Sequence, residues 1–139
     1  MKKLDVLSFL AESENSVDNV FIINFESVLS TQADAFFKKA LGVLKPGGVI
    51  EFCVLNFEKF IHEYKSRREV THEMSDLLFR GPPGYVVMRH SVWDEGSLVM
   101  CMLFAGFLKV WTGDVDEIPP SMFYVKGIKG IEILSKGEE

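Results

Sequence analysis

The sequence predicts an α/β fold in which parallel strands are followed by a C-terminal antiparallel pair. Three observations carry that expectation. Val20-Phe21-Ile22-Ile23 is a continuous apolar run, the pattern of a parallel strand covered on both faces. A stretch with apolar residues at helical spacing separates it from a second strand-like run, Val49 to Leu55. Past a firm break at Gly81-Pro82-Pro83-Gly84, a further helical stretch leads into two short strands joined by a brief loop. Strand and helix in alternation is the order of an α/β layer structure, and its parallel crossovers are right-handed.

Taken in order, Leu4 to Leu10 reads as a short amphipathic segment and Ala11 to Asp18 as a polar loop. Ser30 or Thr31 is placed to cap the next helix, whose apolar positions are Ala33, Phe36, Phe37, Ala40, Leu41 and Leu44. The helix stops before Pro46, and Leu44-Lys45-Pro46-Gly47-Gly48 forms the αβ connection into the second strand. Asn56 caps a long charged helix with Phe57, Phe60, Ile61 and Tyr64 on one face, continuing to Leu78. Val92 to Ala105 carries the last helix, capped by Asp94 and stopped by Gly106. Phe107 to Trp111 is a third strand, Met122 to Val125 a fourth, and Ile131 to Leu134 a short final one.

The 139 residues make one domain with one core, 47% of them apolar and 25% charged. Twelve Phe against three Tyr suggest a large buried volume. A net charge of −5 argues against a nucleic-acid surface. Cys53 and Cys101 lie in apolar runs, where a reduced, buried thiol is the ordinary state. The start Met1-Lys2-Lys3 meets Asp5 without the apolar core of a signal peptide, and no stretch approaches the roughly 20 apolar residues of a membrane span. The expectation is a soluble, cytoplasmic protein with no membrane contact.

The stretch SVDNVFIINFESVLSTQADAFFKKALGVLKPGGVIEFCVLNFEKFIHEY resembles the middle of class I S-adenosylmethionine-dependent methyltransferases. There an Asp precedes the fourth strand, and a helix and the phrase R-V-L-K-P-G-G precede the fifth. MRHSVWDEGSLVMCMLFAGFLKV continues the likeness with a His, an acidic helix start, and A-G-F before the sixth strand. The resemblance covers residues 4 to 126. It implies a truncated Rossmann-like methyltransferase sheet, with residues 1–139 forming a single domain that lacks the N-terminal cofactor half. In a doubly wound sheet the nucleotide sits at a Gly-rich turn after the first strand, where backbone must approach the cofactor closely. From Met1 to Leu41 this sequence has no glycine; the first is Gly42.

On this resemblance Asp5 matches the acid that lies near the adenine of the cofactor, a position where a capping Asp is the commoner occupant. The family's S-H-V-L-E-H after the fourth strand aligns with Ile23-Asn24-Phe25-Glu26-Ser27-Val28, so both histidines and the aligned Glu are replaced. Its Pro-Asp after the fifth strand is replaced by Leu55-Asn56. His90 is the best-matched polar residue, suited either to general-base chemistry or to holding its loop by hydrogen bonds. With Glu51 and Asn56 it makes up the candidate catalytic set of a residual pocket. His62 and His72 read as surface residues without metal-ligand spacing, and Lys65-Ser66-Arg67-Arg68 as a solvated helix face. Trp93 and Trp111 are either packing residues or partner anchors.

Two functions from different classes follow. The first is a catalytically inactive, methyltransferase-like binding or assembly subunit, a pseudoenzyme that takes no cofactor when isolated. The second is the C-terminal subunit of a split methyltransferase that binds S-adenosylmethionine when a partner completes it. Either way the strand Val20 to Asn24, with its family neighbour missing, is expected to present an open apolar edge. That edge is expected to pair with a second copy or with a methyltransferase-like partner, the internal alternative being that Leu4 to Leu10 folds back to cover it.

Overall fold

The computed structural model describes residues 2–80 and 89–131. A short strand β1 (Lys2–Leu4) leads into α1 (Val6–Leu10), and β2 (Val17–Ile22) into two turns of 3₁₀ helix, at Phe25–Ser27 and Ser30–Gln32. Then come α2 (Ala33–Val43), β3 (Leu44–Leu55), α3 (Phe57–Arg67), α4 (His72–Phe79), α5 (Glu95–Ala105), β4 (Lys109–Gly113) and β5 (Met122–Ile128). The strands form one five-stranded sheet in the order β1-β2-β3-β5-β4. β1, β2 and β3 run parallel, whereas β5 is antiparallel to both β3 and β4.

The fold class is that expected, a parallel set finished by an antiparallel pair. The expected final strand from Ile131 to Leu134 is not seen at Ile131, and residues 132–134 lie outside the described ones.

One face of the sheet carries the core. Val20, Ile22, Ile50, Phe52, Val54, Phe123 and Val125 alternate along their strands and are buried under α1, α2 and α5. α2 turns Ala33, Phe36, Phe37, Ala40 and Val43 inward, the i, i+3, i+4, i+7 stripe of a core-facing helix. Phe25 joins them from the 3₁₀ turn and stacks on Phe52 with ring centroids 4.1 Å apart. Phe9, Phe37 and Phe107 extend the same aromatic cluster. Seven of the twelve Phe are thus in the core on one side of the sheet.

Three sequence expectations need correction. The segment Leu4 to Leu10 is not one amphipathic unit: Lys2–Leu4 is a strand, and Asp5 caps the helix that follows. That strand pairs Lys2, Lys3 and Leu4 with Val20, Phe21 and Ile22, and the Ile23 N–H donates to the Leu4 carbonyl at 2.9 Å. The edge expected to be open at Val20 to Asn24 is therefore covered from within the chain, which satisfies the backbone groups that would otherwise seek another strand. The long charged helix is two helices. Arg68 adopts a left-handed conformation at φ 62 and ends α3, while the Thr71 hydroxyl accepts the Met74 N–H at 3.1 Å and starts α4. Capping chemistry outcompetes continuation there.

LKPGG is the third correction. β3 begins at Leu44 and runs through the motif, so it belongs to the strand rather than to a separate loop. Leu44 pairs with Val17 and Val49 with Asn19, so the motif bulges out between them. Gly47 takes φ 78 within the bulge, a conformation that glycine adopts without a β-carbon penalty. The bulge is tied to the far end of the chain. Gly47 N–H donates to the Lys129 carbonyl at 3.0 Å and Lys129 N–H to the Gly48 carbonyl at 2.9 Å. Lys129 Nζ also donates to the carbonyls of Leu41 and Leu44 at 2.6 and 2.8 Å, placing a cation on the C-terminal end of α2.

Candidate functional site

In open α/β sheets, ligands gather beyond the carboxyl ends of the strands. Here that region is built from the loops after β1, β2 and β3 and from Arg89 to Asp94. Nearly every polar side chain in it is engaged in holding a loop. Asp5 Oδ1 accepts the Ser8 N–H at 2.7 Å as the N-cap of α1. Those backbone donors pull its carboxyl below the ordinary 3.8. Asn24 Oδ1 accepts the Val6 N–H at 2.8 Å. Asn56 Oδ1 accepts the Lys59 N–H at 3.1 Å as the N-cap of α3. His90, exposed, sets Nδ1 3.0 Å from the Ser27 carbonyl, which pins its loop to the 3₁₀ turn.

At the centre lies a group that sequence reasoning passed over. Glu26 is fully buried, and its carboxylate takes both forks of the Arg89 guanidinium, Nε to Oε2 at 2.7 Å and Nη2 to Oε1 at 2.9 Å. Leu55 N–H, at the end of β3, donates to Oε2 at 3.0 Å. Arg89 Nη1 donates to the carbonyls of Leu77 and Leu78 near the end of α4. The Glu26 carbonyl accepts the N–H groups of His90 and Ser91 at 2.6 and 3.1 Å. Burial pushes the Glu26 carboxyl up, and the Arg89 guanidinium beside it pulls it back down. A buried pair held on both carboxylate oxygens and all three guanidinium nitrogens is a clamp, joining the end of β3, the 3₁₀ turn and α4. The sequence signal was an opposite-charge pair inside two apolar stretches, Phe25-Glu26 and Met88-Arg89.

The three candidate catalytic residues occupy separate places. Asn56 borders a cavity of about 370 Å³ between α3, α4 and Pro120-Ser121, and another of about 320 Å³ that reaches Trp93 and Asp94. Glu51 lies on the opposite face of the sheet in a cavity of about 400 Å³ with Lys3, Phe21 and Tyr124. There the Tyr124 hydroxyl donates to Glu51 Oε1. Burial first, and the Glu51 carboxylate second, push the Tyr124 phenol up. His90 bonds to the Ser27 carbonyl and lines neither the cavities of Asn56 nor that of Glu51. Cys53, buried on the Glu51 face, has its thiol pushed up to about 12 by burial and by the charges of Glu26 and Glu51, so it stays protonated at neutral pH.

Among the described residues, no three His, Cys, Asp or Glu side chains gather as a metal site, and no helix is long and apolar enough to cross a membrane. His62 and His72 are exposed, and Trp93 packs against the core with its Nε1 donating to Ser91 Oγ at 3.0 Å.

No family model and no curated protein sequence matches this chain. Solved structures do. An S-adenosylmethionine-dependent methyltransferase of Archaeoglobus fulgidus superposes with a TM-score of 0.56 at 11% identity, over 90% of this chain and 65% of its own. One from Thermotoga maritima gives 0.54 at 18% identity, over 86% and 59%. The complex between the Trm112 methyltransferase activator and its methyltransferase from Haloferax volcanii gives 0.55 at 13%, over 89% and 58%. The chain has the fold of class I S-adenosylmethionine-dependent methyltransferases. It spans less than two thirds of the length of each of these three structures.

Proposed function

We propose that this chain is a methyltransferase-like binding or assembly subunit that does not itself transfer methyl groups. The observation that carries the reading is the engagement of the polar groups at the carboxyl ends of the strands. Asp5, Asn24, Asn56, Glu26 and His90 each hold a loop or a helix start. S-adenosylmethionine fits these residues poorly: no glycine occurs from Lys2 to Leu41 to let backbone approach it, and the Asp5 carboxylate is spent on Ser8. A catalytic site also needs its acid, base and substrate pocket within reach of one another, whereas Glu51 and Asn56 border different cavities. Two free cysteines support a reducing compartment such as the cytoplasm. Titration calorimetry of the pure chain with S-adenosylmethionine tests the reading. No heat of binding through the micromolar range is expected, and micromolar binding at unit stoichiometry would overturn it.

One observation favours the second reading, a subunit completed by a partner that brings the cofactor. Parallel strands are normally covered on both faces, and here the side that carries Phe21, Glu51 and Tyr124 has a small apolar cluster, Cys53 and Met122 with Phe21 and Ile118, to which no helix contributes. The Haloferax volcanii methyltransferase, solved with an activator bound, is a neighbour whose fold works in company. Photo-crosslinking of labelled S-adenosylmethionine separates the readings. Label on a complex purified through this chain, with none on the chain alone, would establish the split enzyme.

A further inference from the structure

β4 closes one side of the sheet, and among the described residues no strand pairs with its outer edge. Natural proteins blunt such edges with proline, bulges or charges along the strand. Lys109-Val110-Trp111-Thr112-Gly113 has a charge at its first position only, and Asp114 and Asp116 follow the strand. The edge is therefore basic where it starts and acidic where it ends. A second copy approaching antiparallel sets the Lys109 end of each strand against the Asp114 end of the other, twice across the two-fold axis. A parallel approach sets like charge against like.

The helix layer beside this edge is apolar as well. α5 packs on β4 and turns Leu98 and Met102 into the core. Cys101 and Ala105 pack against the core, and α5 lies beside α2. Leu103 is two positions on from Cys101, roughly 200° round the helix, and so lies on the outward side of α5. Leu103 is 41% exposed, and Leu108, at the entry to β4, is 70% exposed. On the other face Trp111, 48% exposed, stands at the middle of the strand. Its ring meets Tyr124 edge-on at 5.6 Å and lies across Gly113, whose missing side chain leaves the space.

We propose that two copies of this chain pair β4 with β4, antiparallel and centred on Trp111, to make one continuous sheet. The two indoles then sit side by side on one face, and Leu108 of each copy flanks the seam on the other. This inference stands apart from the functional reading and holds whether or not the chain takes part in methyl transfer.

Sedimentation equilibrium of the full chain across the micromolar range is expected to show a dimer. Lys109→Glu and Asp114→Lys, both at exposed positions, should each weaken dimerisation by about tenfold. The double variant carrying both should recover wild-type association, because the complementary ends are restored with their signs exchanged. Trp111→Lys should give a monomer with an unchanged circular dichroism spectrum. A wild-type monomer throughout the range, a dimer indifferent to these changes, or a double variant as weak as the singles would overturn the proposal.

Discussion

The two faces of the sheet are built to different standards. On the helix-covered face, Val20, Ile50, Phe52, Val54 and Val125 are fully buried beneath a continuous aromatic layer. On the other, the residues between them in sequence are mixed: Asn19 is exposed, Phe21, Glu51 and Tyr124 half-buried, and Trp111 reaches solvent. Cys53, Leu55 and Met122 are buried there, with Phe21 and Ile118 packed against Cys53 and Met122. A sheet of parallel strands ordinarily hides both sides. The difference teaches that the hydrophobic core is built on one face of the sheet, while the other keeps half-buried and exposed apolar side chains beside polar ones.

The comparison can be broken most directly by deleting one ring from each face. Phe52→Ala should cost about 3–5 kcal/mol, the range for a fully buried Phe. Phe21→Ala, on a half-buried neighbour, should cost roughly 1 kcal/mol. Chemical denaturation of the two variants measures both. Equal losses would mean that the second face is also closed in solution.

Next in size is the clamp at the carboxyl ends. Arg89→Ala leaves the Glu26 carboxylate buried and unpaired, which should destabilise the chain by about 3–5 kcal/mol. Replacing both members, Glu26→Leu with Arg89→Met, should recover much of that loss, since a packed apolar pair needs no counter-charge. A double variant as unstable as Arg89→Ala would show that the bonds to Leu77 and Leu78, not the pair itself, carry the effect.

A smaller effect is expected in the β3 bulge. A β-carbon on Gly47 meets its positive φ, and one on Gly48 would lie 2.7 Å from the Lys45 carbonyl oxygen. Gly47→Ala with Gly48→Ala should cost roughly 2 kcal/mol. The loss should show in melting temperature without selective loss of any association through β4 or the second face. A double variant that melts with the wild type would refute the bulge as a fixed element of the scaffold.

The smallest effect is pH-dependent. Asp5 titrates below its ordinary 3.8 because its charged form accepts backbone N–H groups at the start of α1. A depressed carboxyl adds stability above the unfolded value and loses it as pH falls through the folded one. Asp5→Asn keeps a cap but removes the titration. The stability gap between wild type and variant should therefore be present at neutral pH and close below about 3.8. A gap independent of pH would assign the cap to hydrogen bonding alone.

Much of the covered face was legible in the sequence, because the signals are local and periodic. Ala33, Phe36, Phe37 and Ala40 mark α2 by spacing, and Asp94 and Gly106 bracket α5 as its cap and stop, the latter at φ 125. β1 was not legible. Lys2-Lys3-Leu4 has no strand pattern of its own and becomes a strand only by pairing with β2. The break between α3 and α4 turns on a left-handed Arg68, a conformation that no side-chain pattern announces. At the site, the capping roles of Asp5 and Asn56 follow from short-range chemistry. The Glu26–Arg89 pair joins residues 63 positions apart, and no window along the chain contains both. Lys129 reaches back to Leu41 and Leu44 in the same hidden way.

The placement of β3 has a consequence for how the chain is born. Its parallel partners β1 and β2 precede it, so that half of the sheet can assemble as soon as Leu55 leaves the ribosome. Its antiparallel partner, β5, begins only at Met122. At about 5–20 residues per second, several seconds pass while the intervening segment is made. Throughout that interval the edge Val49 to Leu55 stands bare, with Phe52, Cys53, Val54 and Leu55 in a row. The nascent chain is most at risk of mispairing there, and a ribosome-bound chaperone that shields extended apolar segments would meet its substrate at this strand.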